Sequence, residues 1–218
     1  MSSANMLEEG QAQTGQTRCV AAVILAAGKS NRMGGPKLLL PWGRSTVIGK
    51  IVTVLLEAKI DPIVVVTGAH RNQVLAALKG LAVLPAHNDR YERFGMTQSA
   101  QVGLQTLPGS SPATLIVLGD QPQLEPRIVC RLVEEWARSQ CPVAVPVFEG
   151  RRGHPLLLDR RLWPELLAMD PDRSIRDLVH RHLDELCEVV VESSSVLADL
   201  DTPAEYRQAL RQQNKQVR

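Results

Sequence analysis

Aromatic side chains are scarce in this chain, only 3% of 218 residues, and the formal net charge is only +2. Without a basic stripe or aromatic stacking platforms the sequence carries no footprint for nucleic acid, so any cationic work must be local. No apolar run approaches the roughly 18 residues that cross a bilayer, so no membrane partner is expected. The four cysteines, Cys19, Cys130, Cys141 and Cys187, are scattered with no C-x-x-C pair. That spacing argues against a zinc knuckle or a disulfide framework, and they read as buried thiols of a cytoplasmic protein. No internal repeat is visible. Met1 to Thr17 lacks the apolar core of an export signal and is rich in Gln, Ser, Gly and Glu, the composition of a disordered lead-in. The Gln/Arg/Lys-rich end after Leu210 reads as a fraying tail. Residues 18–212 remain as one domain, long enough to bury a sizeable core.

What is present is an alternation of β-branched apolar runs with segments of helical period, which predicts an α/β fold with a single doubly wound, mostly parallel sheet. Strands are expected at Val20 to Leu25, Pro62 to Thr67, Leu81 to Pro85 and Leu115 to Leu118. Helices are expected at Thr46 to Glu57, Asn72 to Leu78, Thr97 to Thr106 and Arg127 to Ser139. In the second half, Pro142 to Phe148 and Pro155 to Leu158 flank Glu149 to His154, predicting a small β-ribbon with a charged tip. Helices follow at Pro164 to Met169 and Ile175 to Leu186, the latter opened by Ser174 with Asp177 three residues on. A strand at Glu188 to Val191 leads to a closing helix. Its start, Thr202-Pro203-Ala204-Glu205, combines an N-cap threonine, proline at the first helical position and glutamate at the third.

The densest chemical signal is Leu25 to Lys37, LAAGKSNRMGGPK, directly after the first strand. Gly28, Gly34 and Gly35 permit positive φ and a close approach of backbone N–H groups to an anion. Lys29, Arg32 and Lys37 add up to three cations, a set suited to a triphosphate. Two commoner phosphate loops do not fit. A Walker A motif ending at Gly28-Lys29-Ser30 would need a glycine where Val23 stands, and G-x-G-x-x-G fails because Lys29 and Ser30 follow Gly28.

Three further clusters carry chemistry. Asp120 lies in Leu118-Gly119-Asp120-Gln121-Pro122, at the carboxyl end of a strand, where ligands of open α/β sheets bind; an ordinary turn is the alternative. Asp199 and Asp201 are two apart, so an extended backbone points both carboxylates to one side, although helix capping can also account for either. In the third cluster, Arg151-Arg152-Gly153-His154-Pro155, His154 has structural or acceptor-site readings open to it. His70, His87, His180 and His182 form no convincing metal-ligand spacing. No nucleophile with an adjacent base is apparent.

L-A-A-G-x-S-x-R-M-G followed by P-K-L-L resembles the signature loop of the MobA-like nucleotidyltransferases that act on molybdopterin, and within them the cytidylyl-transferring MocA type. The guanylyl-transferring branch usually reads L-A-G-G. The resemblance runs from about Val20 to Tyr206, including the G-D-Q-P and D-x-D-T-P segments. The stretch from Asn88 through Gly95-Met96 to Ser99, ahead of a helix containing Gly103, also resembles the family. The resemblance implies a Rossmann-like nucleotidyltransferase fold and transfer of CMP from CTP to molybdenum-molybdopterin. It assigns Mg²⁺ to Asp120 and Asp201, with Asp199 a weaker candidate. It places nucleotide against Leu25, Ala26, Ala27, Gly28, Ser30, Arg32, Lys37, Asn88, Gly95 and Ser99, and the acceptor near Gly153 and His154. Arg32 and Lys37 are the implied catalytic cations, and a recipient molybdoenzyme is an implied partner. Two other readings stay open: transfer to a sugar 1-phosphate, and non-catalytic delivery of the cofactor to a dehydrogenase of the xanthine oxidase type.

Overall fold

The computed structural model describes residues 19–216; the expected lead-in, residues 1–17, lies outside them. Its elements run β1 (Ala21–Ala26), β2 (Pro41–Trp42), β3 (Ser45–Thr46), α1 (Val47–Glu57), β4 (Ile63–Thr67), α2 (Arg71–Ala77) and β5 (Leu84–His87). They continue with α3 (Met96–Thr106), β6 (Ala113–Leu118), α4 (Pro126–Ser139), β7 (Val143–Phe148), β8 (Arg151–Arg152) and β9 (Leu156–Asp159). The last are α5 (Trp163–Ala168), α6 (Ile175–Arg181), β10 (Leu186–Val190) and α7 (Pro203–Gln216).

The main sheet has eight strands in the order β10-β7-β9-β6-β1-β4-β5, with β8 paired to β7, while β2 and β3 form a separate two-stranded sheet. Parallel pairing holds for β1 with β4 and β6, β4 with β5, and β10 with β7. Antiparallel pairing in this sheet is confined to β9, which runs against both its neighbours, β6 and β7, and to the short β8 against β7. The expected ribbon is therefore real at the β7–β8 hairpin, but its returning limb enters the main sheet as β9.

Buried residues alternate strictly along β1. Ala22, Ile24 and Ala26 join the core beneath α1 and α4, whereas Ala21 and Val23 join the core that includes Ala100 and Leu104 of α3. This period of two with both faces apolar is the mark of a strand covered by helices on each side. On α3, a Cβ at Gly103 would come within 2.2 Å of Val23 Cγ1. The missing side chain lets the helix lie directly on β1.

Two sequence expectations shift. The strand expected at Leu81 to Pro85 forms at Leu84–His87, because Gly80 turns the chain at φ +88° and the edge position asks for no apolar alternation. The helix expected to reach Leu186 stops at Arg181, and Leu186 instead opens β10 beside Val143. The closing helix is capped as the sequence predicts: Glu205 N donates to Thr202 Oγ1 at 3.3 Å, and Glu205 Oε2 accepts from Thr202 N at 2.8 Å. Of the cysteines only Cys141 is buried; Cys19 is exposed, and Cys130 and Cys187 lie between. Burial pushes the Cys141 thiol up to about 11. Among the described residues no helix is long and apolar enough to cross a membrane.

Candidate active site

Strand order reverses at β1, whose neighbours β4 and β6 continue the chain in opposite directions across the sheet, and a crevice opens beyond the carboxyl ends of β1 and β6. The two ends are drawn together by Gly119 N donating to Leu25 O at 3.1 Å. A Cβ on Gly119 would lie 2.7 Å from that same oxygen, so only glycine closes the gap. The crevice is a cleft of about 420 Å³.

Of the residues assigned to nucleotide, Leu25, Ala26, Ala27, Gly28, Ser30, Arg32, Lys37, Gly95 and Ser99 line this cleft, together with Asp120, Asp199, Asp201 and His154. Asn88 does not. It is wholly buried behind the wall, where its Nδ2 donates to Ser99 Oγ at 3.0 Å and its Oδ1 accepts from Arg90 N at 3.0 Å. Its part is to hold Ser99. Gly153 lies outside the cleft as well, on a smaller adjoining cavity.

The first loop departs from expectation in two ways. Gly34 takes positive φ (+69°), but Gly28 and Gly35 do not, and Ser30 supplies the other left-handed residue at φ +58°. A serine there stores about 1 kcal/mol or more of backbone strain. Lys29 is turned outward to Glu92, 2.8 Å away, so of the three cations of this loop only Arg32 and Lys37 line the cleft.

Those two cations sit on carboxylates. Lys37 Nζ is bonded to Asp120 Oδ2 and lies 3.0 Å from Asp201 Oδ1, while Arg32 reaches Asp201 Oδ2 at 3.0 Å. Local structure sets each partner. Pro36 starts a short 3₁₀ turn over Lys37–Leu39, whose buried Leu38 anchors the lysine stem beside it. The Glu205 carboxylate also accepts from Asp201 N at 2.9 Å, and Leu200 N donates to Asp120 O at 3.2 Å, tying both acidic segments into one framework. Burial opposes the charge on Lys37, but Asp120 and Asp201 outweigh it and raise its pKa above the usual lysine value. The hydrogen bond from Lys37, helped by the Lys37 and Arg32 charges, holds Asp201 below the usual carboxylate range. Asp199 differs: among the described residues its carboxylate accepts only from Gln121 Nε2, at 2.7 Å, and burial together with the Asp120 charge pushes its pKa up.

His154 is fixed by its backbone N–H donating to Val196 O at 2.9 Å, and Gly153 lies so near the 3₁₀ turn Ser194–Leu197 that a Cβ would meet Val196 O at 2.3 Å. Burial, reinforced by Arg176, lowers the His154 pKa below 6.5. The folded protein therefore keeps this ring neutral while the unfolded chain takes up a proton, so its contribution to stability is complete above pH 6.5 and falls as acid is added. Thermal melting followed downward from neutral pH should accordingly lose stability more steeply in the wild type than in His154→Gln. Equal slopes would show that the ring is not held neutral. Of the other histidines, His182 pairs with Glu165 at 2.6 Å and His180 lines the smaller cavity.

Arg176, which lines both cavities, had no place among the expected site residues. The available signal was local. It stands two residues after the Ser174 cap, in a first helical turn where acidic residues are favoured and a cation is not.

Comparison with known proteins places these features in a family. The profile of the MobA-like NTP transferase domain matches residues 22–186. The molybdenum cofactor cytidylyltransferase of Escherichia coli K12 is 23% identical over 190 residues, 86% of this chain and 93% of that protein. Nicotine blue oxidoreductase of Paenarthrobacter nicotinovorans is 30% identical over 163 residues, 69% of this chain and 76% of that protein. Among solved structures, Rv0371c of Mycobacterium tuberculosis H37Rv superposes with a TM-score of 0.78 at 29% identity, covering 89% of this chain and 100% of that one. The same protein has also been solved as a manganese complex, with a TM-score of 0.73. With the strand-end crevice, the paired cations and carboxylates, and a family profile spanning most of the chain, the protein belongs to the MobA-like NTP transferase family.

Proposed function

We propose that the chain transfers CMP from CTP to molybdenum-molybdopterin, giving the pterin dinucleotide and pyrophosphate. The observation that carries this reading is the seating of Lys37 and Arg32 on Asp120 and Asp201 at the floor of a strand-end cleft. A terminal phosphate oxygen of the acceptor forms a new bond to the α-phosphorus. The α–β bridging P–O bond breaks, and its electron pair leaves on pyrophosphate. Lys37 and Arg32 meet charge developing on the α-phosphoryl group and the leaving group, and their ion pairs with Asp120 and Asp201 hold them in position for it. Ser99, held by Asn88, and the backbone of the first loop offer the short fixed donors and acceptors that suit a pyrimidine.

The donor set fits Mg²⁺. Asp120 and Asp201 offer hard oxygens facing one cleft, and among the described residues no group of three or more His, Cys, Asp or Glu could hold a metal by itself. Magnesium commonly takes one or two carboxylates and completes its shell with phosphates and water. The manganese complex of the mycobacterial relative supports a divalent cation in this fold. When bound, the metal would offset phosphate charge and favour departure of pyrophosphate.

The acceptor side suits a ring system with flat faces and a polar edge. The adjoining cavity, about 290 Å³, sets the apolar walls Ile116, Val145, Leu156, Ile175 and Val179 beside the polar side chains of Ser174, Arg176 and His180. A delivery factor that catalyses nothing would have no use for the cation and carboxylate pairs. The dinucleotide formed would pass to a molybdoenzyme in the cytoplasm. One relative is named as an oxidoreductase, so family membership alone does not fix the reaction and the residues of the site carry it.

A thermal-shift panel of CTP, GTP, ATP and UTP with Mg²⁺, joined to pyrophosphate release with molybdenum-molybdopterin, tests the reading. A ligand present at a hundredfold above its dissociation constant adds about 2.7 kcal/mol to native stability. CTP should give the largest shift and support release. Equal or greater stabilisation by GTP would overturn the base assignment, and a CTP shift without pyrophosphate release would overturn the transfer.

A further inference from the structure

The nucleotide cleft and the smaller apolar cavity are not separate. Leu25, Met96, Leu118, His154 and Arg176 line both, and so form a doorway between them. In an in-line displacement the nucleophile comes from the side opposite the leaving pyrophosphate, which makes this doorway the route for an acceptor held in the smaller cavity. Such a nucleophile, a phosphate monoester, is an anion approaching a cleft that already contains Asp120, Asp199 and Asp201. It needs a cation of its own, and Lys37 and Arg32 are engaged with the carboxylates.

Arg176 is the cation in position. Among the described residues its guanidinium has neither an acidic partner nor a hydrogen-bond acceptor; only its backbone N–H is used, donating to Ser174 Oγ at 3.2 Å. His154, the other polar side chain of the doorway, is kept neutral by burial and by Arg176 itself, so it can share a hydrogen bond without adding a competing charge. The planar guanidinium presents two parallel N–H groups, a geometry matched to two oxygens of one phosphate.

We propose that Arg176 binds the terminal phosphate monoester of the acceptor at the doorway, while the apolar cavity of about 290 Å³ takes the ring system behind it. Arg176 thereby selects phosphorylated acceptors and presents their oxygen to the α-phosphorus. The proposal rests on the nucleotidyl-transfer reading and names the residue that recognises the second substrate.

The test is an anaerobic fluorescence titration of metal-free molybdopterin, and of the same pterin with its phosphate removed, into full-length protein. Nucleotide affinity is measured separately with a non-hydrolysable CTP analogue and Mg²⁺. The wild type should prefer the phosphorylated pterin by about tenfold to a hundredfold, the usual worth of a charge-assisted contact. Arg176→Gln should erase that preference while leaving the dephosphorylated pterin, the CTP analogue and the melting temperature unchanged, and Arg176→Lys should keep part of it. Weakened analogue binding with the pterin preference intact would make Arg176 a triphosphate ligand and overturn the proposal. Unchanged preference in Arg176→Gln would overturn it too, as would a wild type that binds neither pterin. The titration needs no turnover: if CTP transfer fails while the phosphate preference still depends on Arg176, the nucleotide reading falls and the acceptor assignment stands. An unchanged preference in a protein that still makes dinucleotide has the opposite meaning.

Discussion

Asp120→Asn is expected to lower turnover at saturating substrate by on the order of a hundred- to a thousandfold while the protein remains folded. The amide keeps the shape of the turn, and the backbone bond from Leu200 N to Asp120 O does not involve the side chain. What disappears is the negative charge that fixes Lys37 and that would anchor a divalent cation. Lys37 keeps Asp201 as a partner, so the melting temperature should fall only modestly. Asp201→Asn should behave similarly, because it removes the charge shared by Lys37 and Arg32. Asp199→Asn should do the reverse for stability. Among the described residues no cation pairs with Asp199, its carboxyl pKa is pushed up by burial and by its acidic neighbours, and an asparagine can still accept from Gln121. Its removal relieves repulsion, so melting should rise or hold and turnover should change little. Steady-state kinetics and melting curves for the three variants decide the matter. A larger loss of turnover in Asp199→Asn than in Asp201→Asn would show that the metal ligand has been assigned to the wrong aspartate.

The parts of this site that were legible in the sequence are those where one local rule governs. The cap at Thr202-Pro203-Ala204-Glu205 satisfies specific backbone donors, and in doing so it also fixes Asp201, so a helix signal located a cleft residue. The strand ahead of the first loop and the strand-end position of Asp120 were equally readable, since an apolar β-branched run and the order of elements follow from the chain itself. Less legible were choices settled by contact with distant segments. Lys29 could have faced the loop or turned away, and Glu92, over sixty residues later, decides it. Asn88 was assigned to nucleotide because its stretch up to Ser99 resembles the family segment, yet it is buried with a bond to Ser99, one layer behind the cleft lining. Gly28, Gly34 and Gly35 all permit positive φ, but only Gly34 of the three takes it and Ser30 adopts it as well, because glycine permits that conformation without requiring it. Arg176 carried only the weak local signal of a cation in a first helical turn, and its place in the wall shared by the two cavities is set by tertiary packing.

Lys37→Met separates charge from tethering. Methionine keeps much of the stem beside Leu38 but leaves Asp120 and Asp201 without their shared ammonium, and the exposed Arg32 covers only Asp201. Without metal, the two carboxylates should repel and the melting temperature should drop. Adding Mg²⁺ or Mn²⁺ should restore more stability to this variant than to wild type, because the divalent cation no longer competes with the lysine for the same oxygens. Turnover should fall by about a hundred- to a thousandfold, about 2.7–4 kcal/mol, as is typical for loss of one electrostatic contact to a transition state. CTP affinity should fall far less if the charge acts chiefly on the developing transition state. Arg32→Lys is the companion variant: it retains charge but loses the planar fork, and should lie between wild type and Arg32→Met. Its range should be narrower than that of Lys37, because the Arg32 side chain is 74% exposed and solvent screens its charge, against 16% for Lys37. Kinetics combined with direct CTP binding reads both effects. If Lys37→Met weakens CTP binding but leaves turnover at saturation intact, the lysine is a ground-state phosphate anchor and its catalytic role is lost.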